Sequence, residues 1–414
     1  MSQSQTRIAE LAAAVAHHTQ RVDKYLTSNN LPTPSFQVDG PVELGLPADI
    51  EESRIEALQA TQELNDLLQG PRNLILNHQH HSLVPLKFIS QFDIAKKVPV
   101  DEAIAFKDLA ASVALDNSAV TRILRMGIAN RIFKEPRAGF IAHSAASKQI
   151  AEDARIASWV GSCVDEFWPA AQKVVDALVK WPNADEPDQT AYVLANDGLS
   201  FYEVLRRDSH RATRFGEAMS FVTQGEGFSL QHLTDGYPWD TIRPGMVVDV
   251  GGSHGTTAFA IARKYPHLRF IVQDLPKTVA GSREVEGLNV EFMAHNFFEG
   301  QPVKGADVYL FRLIMHNWPD AYCVRILKSL VPALKKGARV LIMNGVAPPP
   351  GTVPNNLERK LRSLDLTMLI IGNAKDREVH EWKTLFEQAD ARFRFKGVRQ
   401  PPGSRLAIIE VEWD

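Results

Sequence analysis

Met246-Val-Val-Asp-Val-Gly-Gly-Ser-His-Gly255 is the stretch on which the fold of this chain turns. A short apolar run reaches Asp249, a glycine-rich turn follows, and Thr256 to Tyr265 continues as a helical segment. Strand, tight turn and helix in that order open a parallel α/β sheet, and the glycines let backbone N–H groups come close to a ligand. Many cofactors use this geometry, so spacing has to discriminate among them. A dinucleotide fingerprint asks for glycine at the first, third and sixth positions; counted from Gly251, the third is Ser253 and the sixth Thr256. A P-loop asks for Gly-Lys-Ser/Thr, and the turn has no lysine.

What remains is Asp-x-Gly-Gly-x-x-Gly, a pattern suited to S-adenosylmethionine (AdoMet), with Asp249, Gly251, Gly252 and Gly255 as cofactor-binding residues. A second strand, Arg269-Phe-Ile-Val-Gln273, ends in Asp274. A carboxylate at the tip of the second strand is where an adenosine ribose needs an acceptor for its two hydroxyls.

Composition narrows the class. The chain has 414 residues, 44% of them hydrophobic, which is enough for two or three domains at about 150 residues each. A net charge of −3 gives no electrostatic footprint for nucleic acid. Cys163 and Cys323 lie far apart and fit a reducing compartment rather than a disulfide framework. No basic segment precedes an unbroken apolar core near Met1, and no apolar run approaches the roughly 18 residues of a membrane span. The expectation is a cytoplasmic enzyme with a small-molecule substrate, no membrane association and no metal. The His78-Gln-His-His81 cluster has no Asp, Glu or Cys ligand at suitable spacing.

Ahead of the sheet, apolar positions at Ile8, Leu11, Val15, Val22 and Leu26 line one helix face, and Ile55, Leu58, Leu64 and Leu68 line another that stops at Gly70-Pro71. These two amphipathic helices need a surface to cover, and a partner subunit suits them. From Phe106 a short helix, a cap-rich Asp116-Asn117-Ser118, a helix to about Ile132 and a hairpin through Pro136-Arg-Ala-Gly139 make a winged-helix plan. Arg122, Arg125 and Arg131 on its second helix raise DNA binding, but Asp116, Glu135 and Asp153 nearby argue for a protein-facing role. The expected division is residues 1–155 for dimerisation, 156–235 as a helical connector contributing to a substrate pocket, and 236–414 as the cofactor-binding domain.

After the fourth strand comes Phe311-Arg-Leu-Ile-Met-His-Asn-Trp-Pro-Asp320, which places His316 on the carboxyl edge of the sheet, where ligands bind. With this segment, Val247-Val-Asp-Val-Gly-Gly252, Gln-Asp-Leu-Pro at 273–276, Leu364-Asp-Leu-Thr-Met368 and Asp376-Arg-Glu-Val-His-Glu-Trp382, the chain resembles the fungal branch of the small-molecule O-methyltransferases, including pericyclase relatives. The resemblance covers nearly the whole chain. It implies a class I methyltransferase Rossmann-like α/β sheet with a closing antiparallel hairpin, preceded by a mainly α winged-helix dimerisation domain, AdoMet as cofactor, and a homodimer.

By the same resemblance His316 matches the general base, Asp376 one of two carboxylates that flank it, and Asn344 the position of the other, whose charge is lost here. Histidine can accept a proton near neutrality, and a neutral neighbour lowers its proton affinity relative to a carboxylate. Asn296 and Phe297 match the adenine-contacting pair, and Arg312 a cation near the cofactor. Met219, Trp318 and Met368 are the substrate-binding candidates, the two methionines matching a pair that sandwiches an aromatic acceptor. His143 and His295 read as structural or pocket-lining. The leading expectation is O-methylation of a phenol or enol on an aromatic or polyketide-like metabolite. The alternative, fed by Asn344, is a non-methylating dehydration or cycloaddition that keeps AdoMet bound; a non-catalytic dimeric binding protein is the third reading.

Overall fold

The computed structural model describes residues 6–78, 80–243, 245–283 and 285–414. Two compact units emerge: Met1–Trp168 with His210–Phe221 and Pro350–Lys360, and Pro169–Ser209 with Val222–Pro349 and Leu361–Asp414.

In the first unit, α1 (Arg7–Ser28) and α2 (Ala48–Leu76) pack against each other. The sequence pattern ends the second helix at Gly70-Pro71, but the chain continues helically to Leu76. Gly70 breaks the helix at φ 69°, a conformation that glycine adopts without penalty, and Pro71, preset for helical φ, restarts it as a first-turn residue. Several apolar positions of α2 stay in solvent even though α1 covers part of it: Leu68 is 66% and Ile75 74% exposed.

The helix, helix and hairpin expected from Phe106 onward are present. Phe106–Ser112 and Asn117–Ala129 are the helices, and a three-stranded sheet runs in the order β1 (Ile104–Ala105), β3 (Phe140–His143), β2 (Phe133–Arg137). Asp116 starts the second helix by accepting the Ala119 N–H at 2.8 Å, and Val120 and Leu124 on its apolar face are completely buried. That helix ends at Ala129 rather than near Ile132, because Arg131 sits at φ 65° and turns the chain into β2. Arg125 forks onto Glu135 at 2.9 and 2.8 Å, and Arg131 lies over the Phe36 ring. His143 bridges the Ser147 hydroxyl and the Val98 carbonyl, both at 2.9 Å, a structural role in this core.

The second unit is built on a seven-stranded sheet: β4 (Gly245–Val250), β5 (Leu268–Asp274), β6 (Val290–Ala294), β7 (Val308–Arg312), β8 (Arg339–Asn344), β9 (Phe393–Arg399) and β10 (Ala407–Trp413). Their spatial order is β6-β5-β4-β7-β8-β10-β9, parallel throughout except that β10 runs antiparallel to both its neighbours. Strand order reverses between β4 and β7, and the crevice beyond the carboxyl ends at such a reversal is where open α/β sheets bind ligands. Both faces are covered, so these strands read as nearly continuous apolar runs. Val248, Phe311 and Ile342 face one core with Trp382 and Phe386, whereas Val247, Leu310 and Met343 face the other with Trp239 and Ile261. Period-two alternation puts Asn344 on the Val340–Ile342 face.

Candidate active site

The candidate site residues, Met219 excepted, lie in the second unit. The glycine-rich turn leaves β4 with Gly251 at φ 72°, and the Gln273 carbonyl holds its Gly251 and Gly252 N–H groups at 2.8 and 3.1 Å. Neither glycine tolerates a side chain. A Cβ on Gly251 would lie 2.7 Å from Ile314 Cδ1, and one on Gly252 would lie 2.6 Å from Asp249 Oδ2. Gly255, also at positive φ, caps the helix Thr256–Lys264 that follows.

Asp249 is the electrostatic centre of this half of the site. It is buried, its Oδ2 has no hydrogen-bond partner, and desolvation pushes its pKa up to about 7 despite the opposing charge of Arg312. A buried carboxylate in that state wants a cation. AdoMet carries an ammonium and a sulfonium, so the glycine cradle and the buried acid with one oxygen unpartnered together fit this cofactor. Asp274 ends β5 with Oδ2 accepting the Ser253 N–H at 3.0 Å and Oδ1 the Leu275 N–H at 2.8 Å. Each oxygen keeps a lone pair for a ribose hydroxyl.

Asn296 and Phe297 follow β6. The Asn296 carbonyl oxygen accepts the Phe298 N–H at 3.2 Å and its amide donates to Glu299 at 3.3 Å, so this side chain shapes its own turn. Phe297 approaches the Gly251 position and meets Trp318 edge-on at 6.0 Å between centroids. Trp318 lies parallel to Tyr322 and Tyr202 and edge-on to Phe298, forming an aromatic wall. Arg312 donates to the Phe228 carbonyl at 2.8 Å while its Nε has no partner. His295 anchors its backbone to the Asp274 carbonyl at 2.9 Å, and burial lowers its ring pKa.

Three segment ends make the other half. Leu313, a bulky residue at φ 57°, turns the chain sharply off β7 into the 3₁₀ turn Met315–Asn317 that carries His316. Such a conformation costs on the order of 1–3 kcal/mol and persists only where the surroundings impose it; here the Leu313 N–H is held by the Met343 carbonyl at 3.0 Å. His316 keeps accessible surface yet sits deep in the protein, and burial with the nearby Arg377 charge lowers its pKa to about 4. Asn344 ends β8 fully buried, with neither side-chain polar atom hydrogen-bonded. Asp376 approaches Gly345, where its Oδ1 would lie 3.3 Å from an added Cβ, and its own N–H donates to Asp365 at 2.9 Å. Burial and the Asp365 charge push the Asp376 carboxyl up to about 6.

Met368 is buried on the helix Asn355–Gly372, and its carbonyl accepts the Ala374 N–H at 3.2 Å. Met219 lies on the helix Ser209–Val222, in its first-unit portion. Arg377, inside the Asp376–Trp382 motif, is completely buried and bonds the His316 turn. An arginine between two acids gives no sequence signal of burial. Among the described residues no group of His, Cys, Asp and Glu gathers in a way that could hold a metal ion.

An acid-ended first strand, a glycine cradle, a second-strand carboxylate and a histidine beyond the fourth strand define an AdoMet-dependent methyltransferase. The chain belongs to the family described as the O-methyltransferase domain, whose model matches residues 178–392. It is 39% identical to O-methyltransferase kk1A of Curvularia clavata, over 100% of this chain and 99% of that protein. It is 38% identical to O-methyltransferase gsfB of Penicillium aethiopicum, over 100% of both. Among solved structures, OxaC in complex with S-adenosylhomocysteine and oxaline superposes with a TM-score of 0.75 at 21% identity, over 98% of this chain and 100% of that one. A pericyclic reaction enzyme superposes with a TM-score of 0.70 at 20% identity, over 97% and 100%. At those identities the two structures show the shared fold. The protein is an AdoMet-dependent O-methyltransferase of small metabolites, and AdoMet is its cofactor. No helix among the described residues is long and apolar enough to cross a membrane.

Proposed function

We propose that the acceptor is a phenol or enol hydroxyl on an aromatic or polyketide-like secondary metabolite, and that His316 is the general base. The observation that carries this reading is the place of His316: accessible, on the turn that leaves β7 at the carboxyl edge beside the sheet reversal. Burial and the Arg377 charge lower its pKa to about 4, which leaves it a weak base. When bound, AdoMet supplies an electrophilic methyl group on a sulfonium. His316 takes the proton that the acceptor oxygen loses. So weak a base cannot ionise the acceptor beforehand; the proton has to move as the oxygen attacks, and the hydroxyl has to be acidic. A phenol, at about 10 like tyrosine, meets that demand far better than an alkyl alcohol. Asp376 supports the imidazolium that forms, while the neutral Asn344 adds no charge to that support. Asp274, Asn296, Phe297 and Arg312 hold the adenosine and its surroundings, while Trp318 and Met368 grip the acceptor.

A non-methylating pericyclic reaction is the second reading. The neutral Asn344 and the suppressed basicity of His316 favour it, since such chemistry needs a fixed cation more than a strong base. Incubation of the protein with methyl-labelled AdoMet and a panel of phenols and enolisable polyketides separates the two. Labelled ether and S-adenosylhomocysteine in equal amounts are expected; rearranged or dehydrated product without label would establish the second reading instead.

We also propose that the protein is a homodimer assembled mainly by residues 1–155. The exposed apolar residues of α2, Leu68 and Ile75 among them, support it.

A further inference from the structure

We propose that Arg377 is a positioning residue for catalysis, the bolt that fixes the three segments bearing His316, Asn344 and Asp376 to one another. The inference rests on His316 acting as the base. The guanidinium is completely buried, and most of its donors go to the chain around His316. Nη1 donates to the Met315 carbonyl at 3.1 Å and Nη2 to the Trp318 carbonyl at 2.8 Å, so the side chain grips the turn on both sides of His316. Nε donates to Asp320 Oδ1 at 2.8 Å, just beyond that turn, and Nη1 also reaches the Lys375 carbonyl at 3.3 Å. The guanidinium further lies over the Trp382 ring. Meanwhile the backbone of Arg377 bridges in parallel to Val346, and its carbonyl accepts the Ala347 N–H at 2.9 Å, which ties it to the chain leaving Asn344. Asp376 is its immediate neighbour.

Loops carry these groups, and a loop holds a catalytic geometry only when something rigid clamps it. Arg377 satisfies carbonyls that the sharp turn after Leu313 leaves outside the strand ladder. A planar fork with five donors can span carbonyls on both sides of His316; an ammonium on a flexible stem cannot meet them with the same geometry. A displacement of about 1 Å at a reacting group can cost on the order of a hundredfold in rate.

The test compares Arg377→Lys, Asp320→Asn and His316→Ala, each assayed for kcat per folded molecule, for AdoMet affinity by calorimetry and for melting temperature. Arg377→Lys keeps the charge near His316, so lost rate reports geometry. The expected result is kcat lower by about tenfold or more in Arg377→Lys and by a smaller factor in Asp320→Asn, with AdoMet affinity within about twofold of the parent. If Arg377→Lys does not fold, Asp320→Asn decides, because it leaves an acceptor for the guanidinium. Parental kcat in the folded variant, or kcat lost only in step with AdoMet affinity, would overturn the inference. If His316→Ala keeps methyl transfer, the premise fails and the inference with it; if His316→Ala is inactive while Arg377→Lys runs at the parental rate, the inference fails by itself.

Discussion

The Ser253 backbone N–H donates to the Asp274 carboxylate at 3.0 Å, joining the glycine-rich turn after β4 to the tip of β5. One carboxylate therefore fixes the turn and offers its remaining lone pairs to the ribose. Asp274→Ala should weaken AdoMet binding by about 1.5–3 kcal/mol, since the ribose hydroxyls lose their acceptor and the Ser253 N–H its partner. Calorimetry giving the parental affinity for this variant would remove Asp274 from the site.

The Asp249 carboxyl, pushed up to about 7, holds its proton in a large share of free protein near and below neutrality. A bound cation favours the ionised form, so below about pH 7 binding has to expel that proton. AdoMet affinity should then rise with pH and level off above about 7, falling by up to about tenfold per pH unit on the acid side. Calorimetry at pH 6 in buffers of different ionisation enthalpy should register release of close to one proton, and Asp249→Asn should abolish the release. Affinity independent of pH between about 5.5 and 8 would contradict this.

Asn344→Asp makes a sharper test than the sequence suggests. In the family pattern a carboxylate there strengthens the base, but in this chain the position is fully buried and makes no hydrogen bond. Desolvation should hold the introduced carboxyl in its protonated form, with a folded-state pKa well above the unfolded value of about 3.9. Stability relative to the parent should therefore be preserved below about pH 4 and decline as pH rises toward the folded-state pKa, by up to about 1.4 kcal/mol per pH unit. Melting temperatures of the two proteins across pH 4–8 check this; a constant difference would mean that the carboxyl finds a cation or donors.

The exposed face of α2 sets another expectation. Leu68→Glu combined with Ile75→Glu puts charge on positions that are 66% and 74% exposed in the single chain, so the monomer fold should tolerate the change. Sedimentation velocity should find a dimer for the parent and a monomer for the double variant. A monomeric parent would refute the proposed assembly.

The sheet was legible from sequence because buried strands and glycine turns leave strong local marks. The run Met246–Val250, the acid at Asp274 and the strand ahead of His316 all occupy the elements expected of them. The end of α2 was misread because Gly70 breaks a helix that Pro71 can begin again, and local propensity does not distinguish a stop from a kink. Arg377 was hidden for a different reason: its partners, Met315, Trp318 and Asp320, are about 60 residues away in sequence and come together only through the topology. The orphaned burial of Asn344 was equally invisible, since the residue type says what was lost but not how dry the site is.

The central claim is that His316 removes the proton during methyl transfer. The most direct measurement is single-turnover transfer of labelled methyl from enzyme-bound AdoMet to an accepted phenol, comparing the parent with His316→Ala. Loss of general-base catalysis should slow the variant's transfer by about 10²–10⁴-fold while AdoMet affinity stays the same, and raising pH should narrow the gap as the phenol ionises in solution. Transfer at the parental rate in His316→Ala, or a product that never carries label in either protein, would contradict the account.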